Sequence, residues 1–320
     1  MRLYMIRPLI TVIALLTLAA AFFVPQHIDE GGRFVRARVV PPPPHVTILF
    51  AGDIMLDRSL RVAMEENGED HPFSCLGDTL RTPDLTVANL EGPITGSASR
   101  SVGSAVGSPD NTRFTFASST AQLLARQGID VVSLANNHLQ DFGREGVRST
   151  MRFLDEAGVG HFGDPLSERV HTEVIKGLSF TFIGYNEFQA LEDGVWSGST
   201  TTLERIRAAR EAGSMPIVFA HWGEEYVAAN EEQKRLARSF IDGGAELVIG
   251  AHPHVIQERE EYQGKYIYYS LGNFIFDQYW EDAVRTGLLV RVEFGKDGVR
   301  SLEEQRTILE RDRRTCLIGT

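Results

Sequence analysis

The sequence predicts an α/β protein in which two packed β-sheets carry helices on their outer faces. Three observations lead there. From residue 45 onward, short β-branched runs alternate with amphipathic stretches; two further pairs of runs read as hairpins; and six runs each end in a residue able to hold a metal or move a proton. Parallel strands place their carboxyl ends along one edge of a sheet, where open α/β sheets carry their ligands. Side chains far apart in the sequence are therefore expected to converge on one crevice.

Taken in order, residues 46–51 run into Gly52 and Asp53, and 85–90 into Glu91. Residues 131–135 run into Asn136, Asn137 and His138, and 217–220 into His221, Trp222 and Gly223. Residues 247–251 run into His252, Pro253 and His254, and 266–271 into Gly272 and Asn273. Between the runs, 119–127 and 145–157 read as helices ending at Gly128 and Gly158, since the residue after a last turn often takes the left-handed conformation. Val147, Met151 and Leu154 fall on one face of the second. Residues 204–212 before Gly213 and 231–241 before Gly243 repeat the pattern. Residues 172–175 and 179–185 read as a hairpin turning at Lys176 and Gly177, and 287–294 with 301–309 as another turning at 296–298. The Gly/Ser-rich stretch 97–110 reads either as a mobile loop at the rim of the site or as a tolerated surface insertion.

With 320 residues, 42% hydrophobic and 23% charged, the chain has ample material for a core. Its 43 acidic against 32 basic residues give a net charge of −11, which argues against nucleic acid as a partner. Arg2 and Arg7 precede the apolar run 9–24, so residues 1–25 read as an N-terminal membrane anchor or signal segment. The expected placement is a single-pass cell-membrane protein with an exported C-terminal domain; the alternative is a secreted or periplasmic protein after signal cleavage. Residues 26–44, ending in four prolines, read as a stiff linker, 45–311 as the folded domain and 312–320 as a tail. Cys75 and Cys316 are the only cysteines, which excludes a thiolate metal site and leaves open whether the two pair.

Asp53, Glu91, Asn137, His221, His252 and His254 are carboxylate, amide and imidazole donors, a set that suits a hard or borderline divalent cation. Of the nine histidines, His138, His221, His252 and His254 stand just beyond strand-like runs, a placement hard to assign to chance. A carboxylate shared by two cations can help activate water and neutralise charge on a phosphoryl group. Residues 158–163 match the spacing of a dinucleotide-binding fingerprint, but they follow a helix where that fingerprint needs a strand, and they read as a turn. No nucleophile elbow or Walker loop is present.

The stretches Phe50-Ala51-Gly52-Asp53-Ile54-Met55, Ala88-Asn89-Leu90-Glu91-Gly92, Ser133-Leu134-Ala135-Asn136-Asn137-His138, His221-Trp222-Gly223-Glu224-Glu225, Gly250-Ala251-His252-Pro253-His254-Val255 and Ser270-Leu271-Gly272-Asn273-Phe274 occur in that order. In them the sequence resembles the capsule synthesis proteins of the CapA/PgsA type, associated with poly-γ-glutamate. The resemblance implies a calcineurin-like metallophosphatase fold, an αββα sandwich, and one or two divalent ions (Mn, Fe or Zn). It further implies Asp53 as the first-strand ligand, Glu91 as the bridging carboxylate, Asn137, His221, His252 and His254 as further ligands, and His138 as the acid that protonates the leaving group. Asn89, Asn136, Glu224 and Asn273 are expected to support the ligands or touch substrate. The implied partners are an anionic capsule polymer or its precursor and membrane subunits for synthesis or export. Met55 stands where the general pattern has a histidine, and Leu139 where an acidic residue follows. Two functions are thus open: a metal-dependent, phosphoesterase-like hydrolase in capsule polymer synthesis or export, or a non-catalytic accessory subunit that binds polymer or metal only.

Overall fold

The computed structural model describes residues 45–167, 169–188 and 198–319, with the backbone of 27–28 and 34–35. The expected N-terminal anchor lies outside the described residues, as does the Pro-rich linker apart from His27–Ile28 and Phe34–Val35, which form a short antiparallel pair in the first of two units. No helix among the described residues is long and apolar enough to cross a membrane.

The second unit, residues 43–320, is organised by two sheets. In chain order its elements are β1 (Val46–Ile54), α1 (Arg58–Asn67), β2 (Leu85–Leu90), α2 (Thr120–Gln127), β3 (Val131–Ser133), α3 (Gly143–Ala157), β4 (Gly160–Phe162), β5 (His171–Ile175) and β6 (Leu178–Asn186). There follow α4 (Ser199–Glu211), β7 (Met215–His221), α5 (Glu231–Asp242), β8 (Leu247–Ala251), β9 (Arg259–Tyr262), β10 (Lys265–Tyr268), β11 (Asn273–Ile275), α6 (Asp282–Arg285), β12 (Thr286–Gly295), β13 (Gly298–Leu309) and β14 (Thr315–Leu317). The larger sheet has the order β14-β13-β12-β1-β2-β3-β4, with β11 alongside β1; the smaller has β9-β10-β8-β7-β6-β5. β1 to β4 run parallel, as do β6, β7, β8 and β10.

Three apolar layers hold this together. Phe50, Val87, Phe182, Phe219, Ile249 and Val290 fill the space between the sheets. Leu60, Leu124, Val147 and Leu154 pack the helices α1 to α3 on the larger sheet, and Ile206, Leu236 and Phe240 pack α4 and α5 on the smaller. The αββα sandwich expected from the sequence is therefore the fold. Strands buried on both faces account for the continuous apolar runs.

Four local readings change. The run 266–271 is not one strand: β10 stops at Tyr268 in the smaller sheet, and after Gly272 (φ 69°) the chain enters β11 beside β1 in the larger. That crossover carries Asn273 to the seam between the sheets. Residues 158–163 hold more than a turn, because β4 follows the α3 cap at Gly158 and pairs with β3. α5 runs to Asp242, and the left-handed turn falls on Gly244 (φ 110°) in place of Gly243. Residues 315–317, read as tail, form the edge strand β14, and Cys316 is bonded to Cys75 across 241 positions with a Cα separation of 4.8 Å.

Candidate metal centre

The parallel strands of both sheets end at one seam, and close backbone approach shapes it. A Cβ on Gly52 would lie 1.9 Å from the Gly272 carbonyl oxygen, and one on Gly250 1.9 Å from that of Tyr269. Only glycine fits at either place, which is why a glycine sits ahead of both Asp53 and His252. Asp53 is fully buried; its Oδ1 accepts from Asn89 Nδ2 at 2.8 Å and its Oδ2 from the His252 amide at 3.2 Å. Asn136 donates to Asn89 Oδ1 and to the Leu90 carbonyl, and its own Oδ1 accepts the amides of His138 and Leu139. Asn89 and Asn136 thus lock the carboxylate and the turn after β3. Asn273 does the same for His254, meeting its Nδ1 at 3.0 Å while donating to Gln278 Oε1 and the Val284 carbonyl.

The structure brings the six candidate ligands together. His221 Nε2 lies 2.9 Å from Asn137 Oδ1, and His254 lies 3.4 Å from Asp53 Oδ2 and 3.7 Å from Glu91 Oε1. Three overlapping groups have donor atoms within 4.8 Å of one another: Asp53, Glu91 and His254; Glu91, His221 and His252; and Glu225, His252 and His254. Glu91, His252 and His254 each belong to two of them. Both Glu91 carboxylate oxygens and His252 Nδ1 are buried without a hydrogen-bond partner. Buried polar atoms are rarely left so. Two carboxylates, imidazoles and orphaned donors around one point could hold a divalent cation.

The electrostatics follow from this crowding. Burial, then the neighbouring Asp53 carboxylate, raises Glu91 well above the ordinary carboxylic range. Burial also lowers His221 well below the ordinary imidazole value, with His252 and His254 adding to it. His252 is pushed down to about 4 by burial and by His254. Burial opposes charge on His254 too, but Glu91 and Asp53 outweigh it and hold that imidazole up at about 9. The backbone is strained at the same place: His252 and His254 sit at φ of 95° and 57°, outside the usual range for their type.

His138 stands beside this cluster. Its Nδ1 lies 2.9 Å from Asp141 Oδ2, its ring stacks 4.3 Å from Phe114, and it is part-exposed. Asp141 is itself fixed, accepting the Phe114 amide at 2.7 Å. Met55 is turned away from the ligands into the core under α1, its Sδ accepting the Asp57 amide, and Leu139 is fully buried in the same core. Trp222 packs in the smaller sheet's outer layer and donates to the Tyr269 carbonyl. The adjacent Glu224 and Glu225 are both exposed, and Glu225 is the one whose carboxylate reaches His252 and His254. Adjacent acidic residues in a turn point different ways, and sequence alone does not choose between them. Asp141 carried a signal, three residues after His138; Phe188, whose ring lies 4.3 Å from that of His252, carried none.

An αββα sandwich with this carboxylate and imidazole cluster at its strand ends defines a metallophosphatase-like protein. Residues 47–278 match the family described as bacterial capsule synthesis protein PGA_cap. The chain belongs to that family. It is similar to the PGA biosynthesis protein CapA of Bacillus subtilis (strain 168), 29% identical over 269 residues covering 79% of this chain and 69% of that one. It is also similar to the capsule biosynthesis protein CapA of Bacillus anthracis, 27% identical over 290 residues covering 84% and 70%. A probable polyglutamine synthesis accessory protein of Mycobacterium tuberculosis is 29% identical over 171 residues, covering 46% of this chain and 45% of its own.

Proposed function

We propose that the protein is an exported, membrane-tethered, metal-dependent hydrolase of the phosphoesterase type that acts on an anionic capsule polymer, its precursor or its carrier, alongside membrane synthesis or export subunits. The observation that carries this is the orphaned set: Glu91 Oε1 and Oε2 and His252 Nδ1, buried and unpartnered within reach of Asp53, His221 and His254. A divalent ion held there would supply Lewis acidity and an activated water. Asp53, Glu91, His221, His252 and His254 would hold it, with Asn137 beside His221. Asp141 orients His138 through Nδ1, which leaves Nε2 as the atom that passes a proton to the leaving group. Export is supported by the apolar run 9–24, the proline spacer and the Cys75–Cys316 bond, since disulfides persist chiefly outside the reducing cytosol. The names of the relatives support a place in capsule or polyglutamate synthesis.

The test is metal uptake by the full chain stripped of ions and titrated with Mn²⁺, followed by hydrolysis of an activated phosphodiester. One or two ions per chain are expected, lost in a His252→Ala, His254→Ala double variant. His138→Ala should retain the ion and lose roughly 10²-fold or more in rate. An intact chain that takes up no divalent ion would end the hydrolase reading.

Met55 favours a second reading, an accessory subunit that binds without catalysis, because a core thioether occupies the place of a metal-binding histidine. Polymer production in cells separates the two. Production that survives His138→Ala but not deletion of the protein supports the accessory role.

A further inference from the structure

Arg58 takes no part in the ligand cluster, yet two aromatic rings connect its guanidinium to that cluster and to His138. Its guanidinium carbon lies 5.0 Å from the Phe114 ring centroid and 5.6 Å from that of Phe276. Phe114 in turn lies tilted against His138 at 4.3 Å, and Phe276 against His254 at 4.8 Å. The two phenyl rings therefore separate the cation from the two sets of imidazoles by one aromatic layer. Its Nη2 pairs with Asp277 Oδ1 at 2.5 Å, while the other oxygen of Asp277 accepts the amide and hydroxyl of Ser59. Its Nε is buried with no partner at all. Arg58 sits at a non-glycine φ of 50°, a strained conformation that the surroundings must sustain.

A cavity of about 430 Å³ opens over this pair, bounded by Ser101, Ser104, Val106 and Trp280. It adjoins the metal centre by a second route, since the Trp280 ring lies 5.4 Å from Tyr226, itself 6.0 Å from His254. Tyr226 is strained as well, at φ 66°. The walls mix hydroxyls with exposed apolar surface: Val106 is 96% and Trp280 61% exposed. Such a wall suits a chain of alternating methylene and polar groups, and the Arg58 guanidinium that lines it suits a carboxylate on that chain.

We propose that Arg58 is a substrate-binding residue: its guanidinium holds a carboxylate of a polyanionic chain lying in the Ser101–Trp280 cavity and so sets which bond of that chain reaches the metal centre. The choice of substrate rests on the hydrolase reading above, but its test does not. Binding of a γ-linked glutamate pentamer to the full chain is measured by calorimetry and by tryptophan emission, without added metal, and Mn²⁺ uptake is measured separately.

The expected result is binding that weakens at least tenfold in Arg58→Ala and by less in Arg58→Lys, with Mn²⁺ stoichiometry unchanged in both. The pentamer amidated at its carboxyls should bind wild type no better than the acid form binds Arg58→Ala, and Trp280→Phe should remove the emission change. Equal pentamer affinity in wild type and Arg58→Ala overturns the proposal, as does equal affinity for the amidated pentamer. Binding of inorganic phosphate that depends on Arg58 when pentamer binding does not would overturn the carboxylate assignment. A wild-type chain that binds pentamer through Arg58 but takes up no Mn²⁺ leaves this site standing and removes the hydrolase reading.

Discussion

Glu91 shows how much one side chain can state. It is fully buried beside Asp53, and neither of its oxygens has a protein donor. A buried carboxyl in that position destabilises the fold unless a cation compensates it. Replacement by the neutral isostere, Glu91→Gln, should therefore raise the metal-free melting temperature, by the equivalent of about 1–3 kcal/mol for an unpaired buried group. The same variant should lose the rise in melting temperature that Mn²⁺ gives wild type, a rise worth about 2.7 kcal/mol at a hundredfold excess over Kd. Thermal melts with and without Mn²⁺ read both outcomes. A metal-free variant less stable than wild type would mean that Glu91 serves packing, not an ion.

At the scale of elements, α5 is fixed by a reciprocal cap. Asn230 Oδ1 accepts the Gln233 amide at 2.9 Å, and Gln233 Oε1 accepts the Asn230 amide at 3.0 Å. Gln233 also donates to Gln257, three residues beyond His254, which ties the helix start to the segment that carries the imidazoles. Asn230→Ala should cost about 1 kcal/mol, read as a lowered urea midpoint with an unchanged slope. Elements of this kind differed in how far the sequence disclosed them. Both hairpins, the buried parallel strands and the helices ending at Gly128 and Gly158 were legible, since apolar period and turn glycines are local signals. The short helix α1, with only Leu60 and Ala63 buried, gave too weak a periodic stripe, and the sheet change at Gly272 depends on a backbone contact with no local trace. The clustering of the candidate ligands was legible because each lies at or just beyond the end of a strand. Glu225 and Arg58 were not, because a turn and a strained helix start decide where they point.

For the whole molecule, the Cys75–Cys316 bond joins the region after α1 to the final edge strand, across 241 positions. Because a cross-link over so long a loop restricts the unfolded chain strongly, its removal in a Cys75→Ser, Cys316→Ser variant should cost about 2–5 kcal/mol. Chemical denaturation under non-reducing conditions checks this. Coincident curves for the variant and the parent would show that β14 holds its place by strand pairing alone.

The candidate ligands come from both halves of the sandwich: Asp53 lies near the end of β1 and Glu91 follows β2 in the larger sheet, and His221 and His252 end β7 and follow β8 in the smaller. The gap between these donors is consequently gauged by the thickness of the apolar filling that separates the layers. Swelling or thinning of that filling by a few tenths of an ångström would leave every ladder paired yet spoil the grip on an ion. In this architecture, cation affinity is a finer gauge of interior order than melting is, and it would register damage deep in the protein long before the chain lets go of its shape.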